Sequence, residues 1–276
     1  MQAFEIAGRQ VVPRDCPGCG FDNAKTTPNP YSSAAWLLKD CQACGFVYLE
    51  AAPVYKELAE TYAWEKTSVA RDQVRRQQHP LLYKISKSTR WRLHLFKRKR
   101  IEELVTHYVG SGNVLDIGCG KGDQLKKLAP AFVPYGIEIS RAEAAHALIH
   151  VKPRHGDVIV KPAVEGLHAF TDFFSGVLMR SYLEHEAAPK AVLQGAFRAL
   201  RTGGVIIIKV PNYGSLNRRI FGNYWCGFRF PDHLNYFTPE SLTRLCRDCG
   251  FTISRFGWLD RLPTSDNMWL VAKKAA

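Results

Sequence analysis

The chain is 276 residues long, enough for a full core plus a small accessory domain. It is 46% hydrophobic and 23% charged, a globular composition, with no apolar run of the roughly 18 residues that a membrane span needs. The net charge of +13 is concentrated: residues 71–100 hold eleven Lys or Arg against one acid, Asp72, a local excess of +10 that suits an anionic partner.

Met1 to Arg9 do not read as a secretory signal, and eight cysteines in a chain this long do not suggest a disulfide framework. Cys16-Pro-Gly-Cys19-Gly20 and Cys41-Gln-Ala-Cys44-Gly45 are matching turns with 21 residues between Cys19 and Cys41. Each sets two thiols on one tight loop. Val11-Val12, Trp36-Leu-Leu38 and Phe46-Val-Tyr-Leu49 supply short flanking strands. This is zinc-ribbon spacing, with Cys16, Cys19, Cys41 and Cys44 placed tetrahedrally around one Zn²⁺. Four sulfurs leave no position for a catalytic water, so the metal would be structural. Metal-bound thiolates suit a reducing compartment, and a cytoplasmic location is expected.

Residues 1–50 are therefore read as the ribbon, 51–110 as a helical linker or lid, and 111–276 as the main domain. Within the linker, Tyr55, Leu58 and Tyr62 have helical spacing, with Trp64 just beyond. In the basic run, Trp91, Leu95, Ile101, Val105 and Tyr108 share one helix face. Lys97-Arg-Lys-Arg100 then forms a solvated face, or binds RNA or a phosphorylated substrate.

Val114-Leu-Asp-Ile117 is a buried parallel strand by composition, and Gly118-Cys-Gly-Lys-Gly122 is a tight turn after it. A helix is expected next, offering free N–H groups at its start. Val133-Pro-Tyr-Gly-Ile137 is a second strand that ends in an acid, Glu138. A carboxylate at such a tip can accept both hydroxyls of a ribose. This succession resembles the class I S-adenosylmethionine-dependent methyltransferases over about residues 91–276. The resemblance implies an α/β fold: a Rossmann-like sheet, mostly parallel, with the last strand antiparallel. It implies S-adenosyl-L-methionine at the glycine turn, with Asp116, Gly118, Gly120, Gly122 and Arg180 in its site. Glu138 would hold the ribose, and Asp157 would read the adenine amino group. Lys121 is bulky for such a turn and faces outward in the family pattern.

Ser140 caps a helix through His150. Phe173 to Met179 is a fourth strand, and its tip runs into Arg180-Ser-Tyr-Leu-Glu-His185. The Leu-Glu-His triplet resembles that of many small-molecule methyltransferases. His185 is a candidate proton acceptor; closing the cofactor pocket without proton transfer is the alternative. Ala188 to Leu200 is an amphipathic helix, and Val205 to Val210 is a fully buried strand. Residues 211–237 read as a long loop whose aromatics and amides suit an acceptor pocket. His233, in Pro231-Asp-His-Leu-Asn-Tyr-Phe237, is the second candidate base or a packed loop histidine. Thr238-Pro-Glu starts a helix that runs to Asp248, with Cys246 and Cys249 as buried packing thiols. Phe251 to Leu259 and Met268 to Lys273 are the closing strands.

The expected activity is methyl transfer by in-line attack of an acceptor O, N or C on the sulfonium methyl. A small, anionic metabolite is the first acceptor class, since a ribbon in front of this domain resembles bacterial members linked to sugars and other small metabolites. Methylation of an RNA base is the second, as zinc-ribbon rRNA guanine methyltransferases share this domain order. A non-catalytic cofactor-binding module is the third.

Overall fold

The computed structural model describes residues 3–54 and 100–275. The expected lid segment with Tyr55, Leu58, Tyr62 and Trp64 lies outside the described residues, as do Trp91, Leu95 and the basic run up to Lys99.

The amino-terminal part holds β1 (Phe4–Ile6), β2 (Arg9–Pro13), β3 (Leu38–Asp40), β4 (Val47–Leu49) and β5 (Ala51–Pro53). β1, β2 and β5 form one small antiparallel sheet, and β3 pairs with β4 in another. The main domain runs α1 (Ile101–Tyr108), β6 (Gly112–Ile117), β7 (Phe132–Ile137), α2 (Arg141–Val151), β8 (Asp157–Ile159), α3 (Ala163–Leu167) and β9 (Phe174–Arg180). It continues with α4 (Pro189–Ala199), β10 (Leu200–Pro211), α5 (Leu216–Phe221), β11 (Asn235–Tyr236), α6 (Pro239–Asp248), β12 (Phe251–Arg255) and β13 (Asn267–Lys274).

Seven strands form the central sheet in the order β12-β13-β10-β9-β6-β7-β8. β6, β7, β8, β9 and β10 pair in parallel, and β13 runs antiparallel to both β10 and β12. Side chains alternate between the two faces, as a pleated strand requires. Leu115, Ile117, Ile206 and Ile208 pack with α3, α4 and α6, whereas Val114, Val205 and Ile207 pack with α1 and α2. Both faces are covered, which is why β9 and the middle of β10 read as continuous apolar runs. The chain leaves β6 toward β7 and β8 on one side, then returns to β9 on the other. The β6–β9 boundary is therefore the topological switch point, and its carboxyl edge is where open α/β sheets bind ligands.

The helix expected after the glycine turn is absent. One 3₁₀ turn, Leu125–Lys127, stands in its place. The reason is local: β7 begins at Phe132, and Pro130 disfavours helical backbone in the residue before it. β12 is also shorter than expected and ends at Arg255; a 3₁₀ turn, Trp258–Arg261, follows.

The 211–237 segment is only partly a loop. It contains α5 and β11, and β11 pairs antiparallel with β4, Asn235 opposite Tyr48 and Tyr236 opposite Val47. A piece of the main domain thus completes the sheet β11-β4-β3 of the cysteine-bearing part. Tyr213, Trp225, Leu234 and Tyr236 are buried with Val11, Trp36, Leu38, Val47 and Leu49. Phe46 meets Phe237 edge to face at 5.2 Å. These loop aromatics seal the two parts together; Tyr213, Trp225 and Tyr236 do not line an open acceptor pocket.

Candidate functional site

The glycine turn sits at the carboxyl end of β6. Gly118, Gly120 and Gly122 have φ of +71°, +51° and +80°, a region that other residues adopt only with strain. A Cβ on Gly118 would lie 2.6 Å from Cδ2 of Tyr182, so that ring closes over the turn. A Cβ on Gly120 would meet only Glu143 Oε2, at 3.9 Å, and that side of the turn is open. Lys121 is exposed and reaches toward Glu143 at 4.0 Å, consistent with the outward placement expected for it.

Glu138 follows the last residue of β7. Its Oε2 accepts from Gly120 N and its Oε1 from Ser140 N, both at 2.9 Å. The carboxylate thus ties the glycine turn to the start of α2, where Ser140 caps the helix by accepting from Glu143 N. Glu138 is half-buried. Each carboxylate oxygen can accept more than one hydrogen bond, so acceptor capacity remains for a ligand.

Asp116 is 4% exposed in β6, one strand residue before the end. Burial pushes its carboxyl up to about 7, with Arg180 pulling it down and Glu138 adding to the rise. Arg180 is the last residue of β9, and its Nη1 donates to Gln124 Oε1 at 3.2 Å. Gln124 in turn donates to Glu102 Oε2 at 3.2 Å, which brings α1 to the same edge. Sequence reasoning assigned no role to Gln124 or Tyr182; Arg180 lies 56 residues from Gln124 and Gly118 lies 64 from Tyr182, so no local pattern announces either contact. Tyr182 OH donates to Glu186 Oε2.

Glu184, His185 and His233 meet at the tip of β9. One ring nitrogen of each histidine and one Glu184 oxygen lie within 4.8 Å of one another. The imidazoles cross edge to face with centroids 4.7 Å apart. His185 Nδ1 is 2.8 Å from Asp232 O, and His233 Nδ1 is 2.8 Å from Gly227 O. A carbonyl only accepts, so Nδ1 carries a proton in both rings, and in the neutral form of either ring the lone pair is on Nε2. The backbone clamps this junction: Leu234 N donates to Glu184 O, and Asn235 Nδ2 donates to Leu183 O and Glu186 O. Burial pushes the Glu184 carboxyl up to about 8, against its own backbone N–H, Lys209 and Arg229.

The two candidate histidines, Glu138, Asp116, Arg180 and the three glycines all come to one edge of the sheet. Asp157 does not. It opens β8 opposite Tyr135, whereas Glu138 follows Ile137, which pairs with Ile159 at the other end. Its Oδ1 is 2.9 Å from Lys152 Nζ. Asp157 therefore leaves the set of cofactor-binding candidates.

The four amino-terminal cysteines also cluster. Cys16 Sγ is 3.6 Å from Cys44 Sγ, and Cys19 Sγ is 3.6 Å from Cys41 Sγ. Sulfurs bound tetrahedrally at about 2.3 Å from a zinc ion lie about 3.8 Å apart, so the set fits that ion. The two turns are copies: Gly20 N donates to Cys16 O and Gly45 N to Cys41 O, both at 2.7 Å. Gly20 and Gly45 both have positive φ. Cys246 and Cys249 are buried against α4 and β12, as expected of packing thiols.

Residues 89–255, more than half of the chain, match the family model of a methyltransferase domain. The chain is 25% identical over 154 residues to an uncharacterized protein of Methanocaldococcus jannaschii, covering 56% of this chain and 71% of that one. Among solved structures it is similar to the [4+2]-cyclase SpnF (TM-score 0.51, 19% identity, 64% of this chain and 80% of that one). It is similar also to a SAM-dependent methyltransferase from Archaeoglobus fulgidus (TM-score 0.50, 21% identity, 63% of this chain and 91% of that one). At such identities the structural likeness shows a common fold. Among the described residues, no helix is long and apolar enough to cross a membrane.

Proposed function

Because this chain belongs to the methyltransferase-domain family, we propose that its S-adenosylmethionine-dependent methyl transfer is directed at a small, anionic metabolite. The observation that carries the reading is the edge itself. A half-buried carboxylate, three positive-φ glycines and two imidazoles stand together at the switch point of the sheet. The cofactor supplies a methyl group on a sulfonium, whose thioether is already a good leaving group. The chain must bind it, aim it and hold the acceptor in line.

In this proposal Gly118, Gly120 and Gly122 let the cofactor approach the backbone, and Glu138 accepts from its ribose hydroxyls. Asp116 faces the positively charged methionine end, and Arg180 takes its carboxylate. Tyr182 seals the turn from behind. His185 and His233 form the acceptor side, where each Nε2 lone pair can take a hydrogen bond or a proton. Lys209 and Arg229 stand near enough to act on Glu184, and they make the acceptor side cationic. A positive surround of that kind favours an anionic acceptor. The four cysteines hold a structural zinc, and through β11 that ribbon positions the segment carrying His233.

The test is a screen of anionic metabolites for methyl transfer, with S-adenosylhomocysteine formation as the readout. A product that depends on His185 and His233 supports the reading. Turnover only on structured RNA would replace it by the RNA reading, which rests on the charge of residues 71–100.

A further inference from the structure

Methyl transfer leaves one feature of this site unexplained. Glu184 is 1% exposed, and its Oε2 has no hydrogen-bond partner. A buried carboxylate oxygen left unsatisfied costs free energy, and such a group in a folded protein asks for a reason. One oxygen of the same carboxylate stands within 4.8 Å of one ring nitrogen each of His185 and His233. Both rings are held in the tautomer that places the lone pair on Nε2, because Asp232 O and Gly227 O each take an Nδ1 proton at 2.8 Å. Backbone carbonyls on the far nitrogens are the usual outer partners of metal-ligating histidines. The cluster therefore gathers three lone-pair donors, already braced from behind.

We propose that Glu184, His185 and His233 bind a divalent first-row transition cation, of the class of Mn²⁺, Fe²⁺ or Zn²⁺. Two imidazoles and one carboxylate suit these ions better than Mg²⁺ or Ca²⁺, which prefer all-oxygen shells. Donors about 2.1 Å from such an ion sit about 3.0–3.4 Å apart, so a small inward shift of the side chains completes the site. His185 is half-buried where Glu184 and His233 are buried, so the coordination positions that remain would be reached from its side. An oxygen anion of the acceptor fills one of them; this clause alone rests on the acceptor side proposed above. The imidazoles then serve as ligands, and the acceptor's proton leaves to solvent.

The site has a second anchor in the fold. Glu184 and His185 belong to the 3₁₀ turn Leu183–His185, and His233 comes from the segment before β11. The hydrogen bond from Leu234 N to Glu184 O joins the two. The ribbon sheet therefore fixes the third ligand against the first two.

The experiment is a Mn²⁺ titration of the full chain with its ribbon zinc in place, followed by electron paramagnetic resonance, on wild type, Glu184→Gln and His233→Gln. Binding of S-adenosylhomocysteine is measured on the same samples. The expected result is one Mn²⁺ per wild-type chain, weakened at least about tenfold in each variant, with cofactor binding kept. No Mn²⁺ bound to a wild-type chain that binds cofactor overturns the cation site and leaves the methyltransferase reading standing. Equal Mn²⁺ affinity in all three proteins also overturns it, since the ion would then sit elsewhere. Loss of cofactor binding in wild type strikes the earlier reading instead.

Discussion

Glu138→Ala gives the sharpest single test of how the cofactor is placed. In the structure this carboxylate accepts from Gly120 N and Ser140 N at 2.9 Å each, so it shapes the turn before any ligand arrives. In the proposal it also accepts from two ribose hydroxyls. Hydrogen bonds to a charged group contribute about 1.5–3 kcal/mol each, so two of them at the lower limit give about 3 kcal/mol. That corresponds to about a 150-fold rise in Kd. Removal of the side chain also frees Gly120 N, which loosens the turn and adds to the loss. Glu138→Gln keeps one oxygen acceptor but turns an amide donor toward a backbone N–H, so its Kd falls between the two. Isothermal titration with S-adenosylhomocysteine measures all three affinities, and thermal melts check the fold. A Glu138→Ala protein with wild-type melting and a Kd within about twofold of wild type would refute the ribose assignment.

Four further outcomes follow from the same geometry. Gly118→Ala combines a φ of +71° with a Cβ 2.6 Å from the Tyr182 ring, and should cost about 1–3 kcal/mol; Gly120→Ala faces open space and should cost about 1 kcal/mol, so their melting temperatures rank in that order. Asp116 titrates at about 7 in the fold, above its ordinary carboxylate value, so its contribution to stability is fully present at acid pH and is lost as pH rises through 7. Asp116→Asn should therefore melt at or above wild type at pH 8, and the difference should shrink by pH 5; a variant that melts lower at pH 8 contradicts the assignment of burial as the cause. Chelation of the ribbon metal should raise amide exchange not only in residues 9–53 but also in 233–237, because β11 pairs with β4; exchange confined to the amino-terminal part would show that the two parts are uncoupled. Under the metabolite reading, RNA should give no complex at moderate salt, whereas an affinity that falls steeply with salt would shift the assignment to the basic run.

The parts of the site that were legible in the sequence are those written locally. A strand, a glycine turn and an acid at the next strand tip occupy 25 consecutive residues, Val114 to Glu138, and each member is recognisable from its neighbours. The paired cysteine turns are local in the same way. What stayed hidden depends on register or on distant pairing. Asp157 opens a strand of only three residues, so which sheet edge it occupies is decided by pairing with β7, not by its own sequence. β11 is two residues long, too short to show a period, yet it pairs Asn235 with Tyr48 and Tyr236 with Val47, 187 and 189 positions away. The aromatics of the 211–237 segment looked like a ligand pocket because aromatic rings serve both ends. Here Tyr213, Trp225 and Tyr236 are buried together with ribbon residues. Glu184 was visible in the Leu-Glu-His triplet, but its burial and its vacant oxygen appear only once His233 is folded onto it.

Native mass spectrometry of the purified chain, with and without S-adenosylmethionine, tests the central claim most directly. The account predicts one zinc on every chain and one further adduct of the cofactor's mass, lost in Glu138→Ala. A folded chain that carries zinc and takes up no cofactor at saturating concentration would contradict the claim that this sheet edge is a working methyl-transfer site.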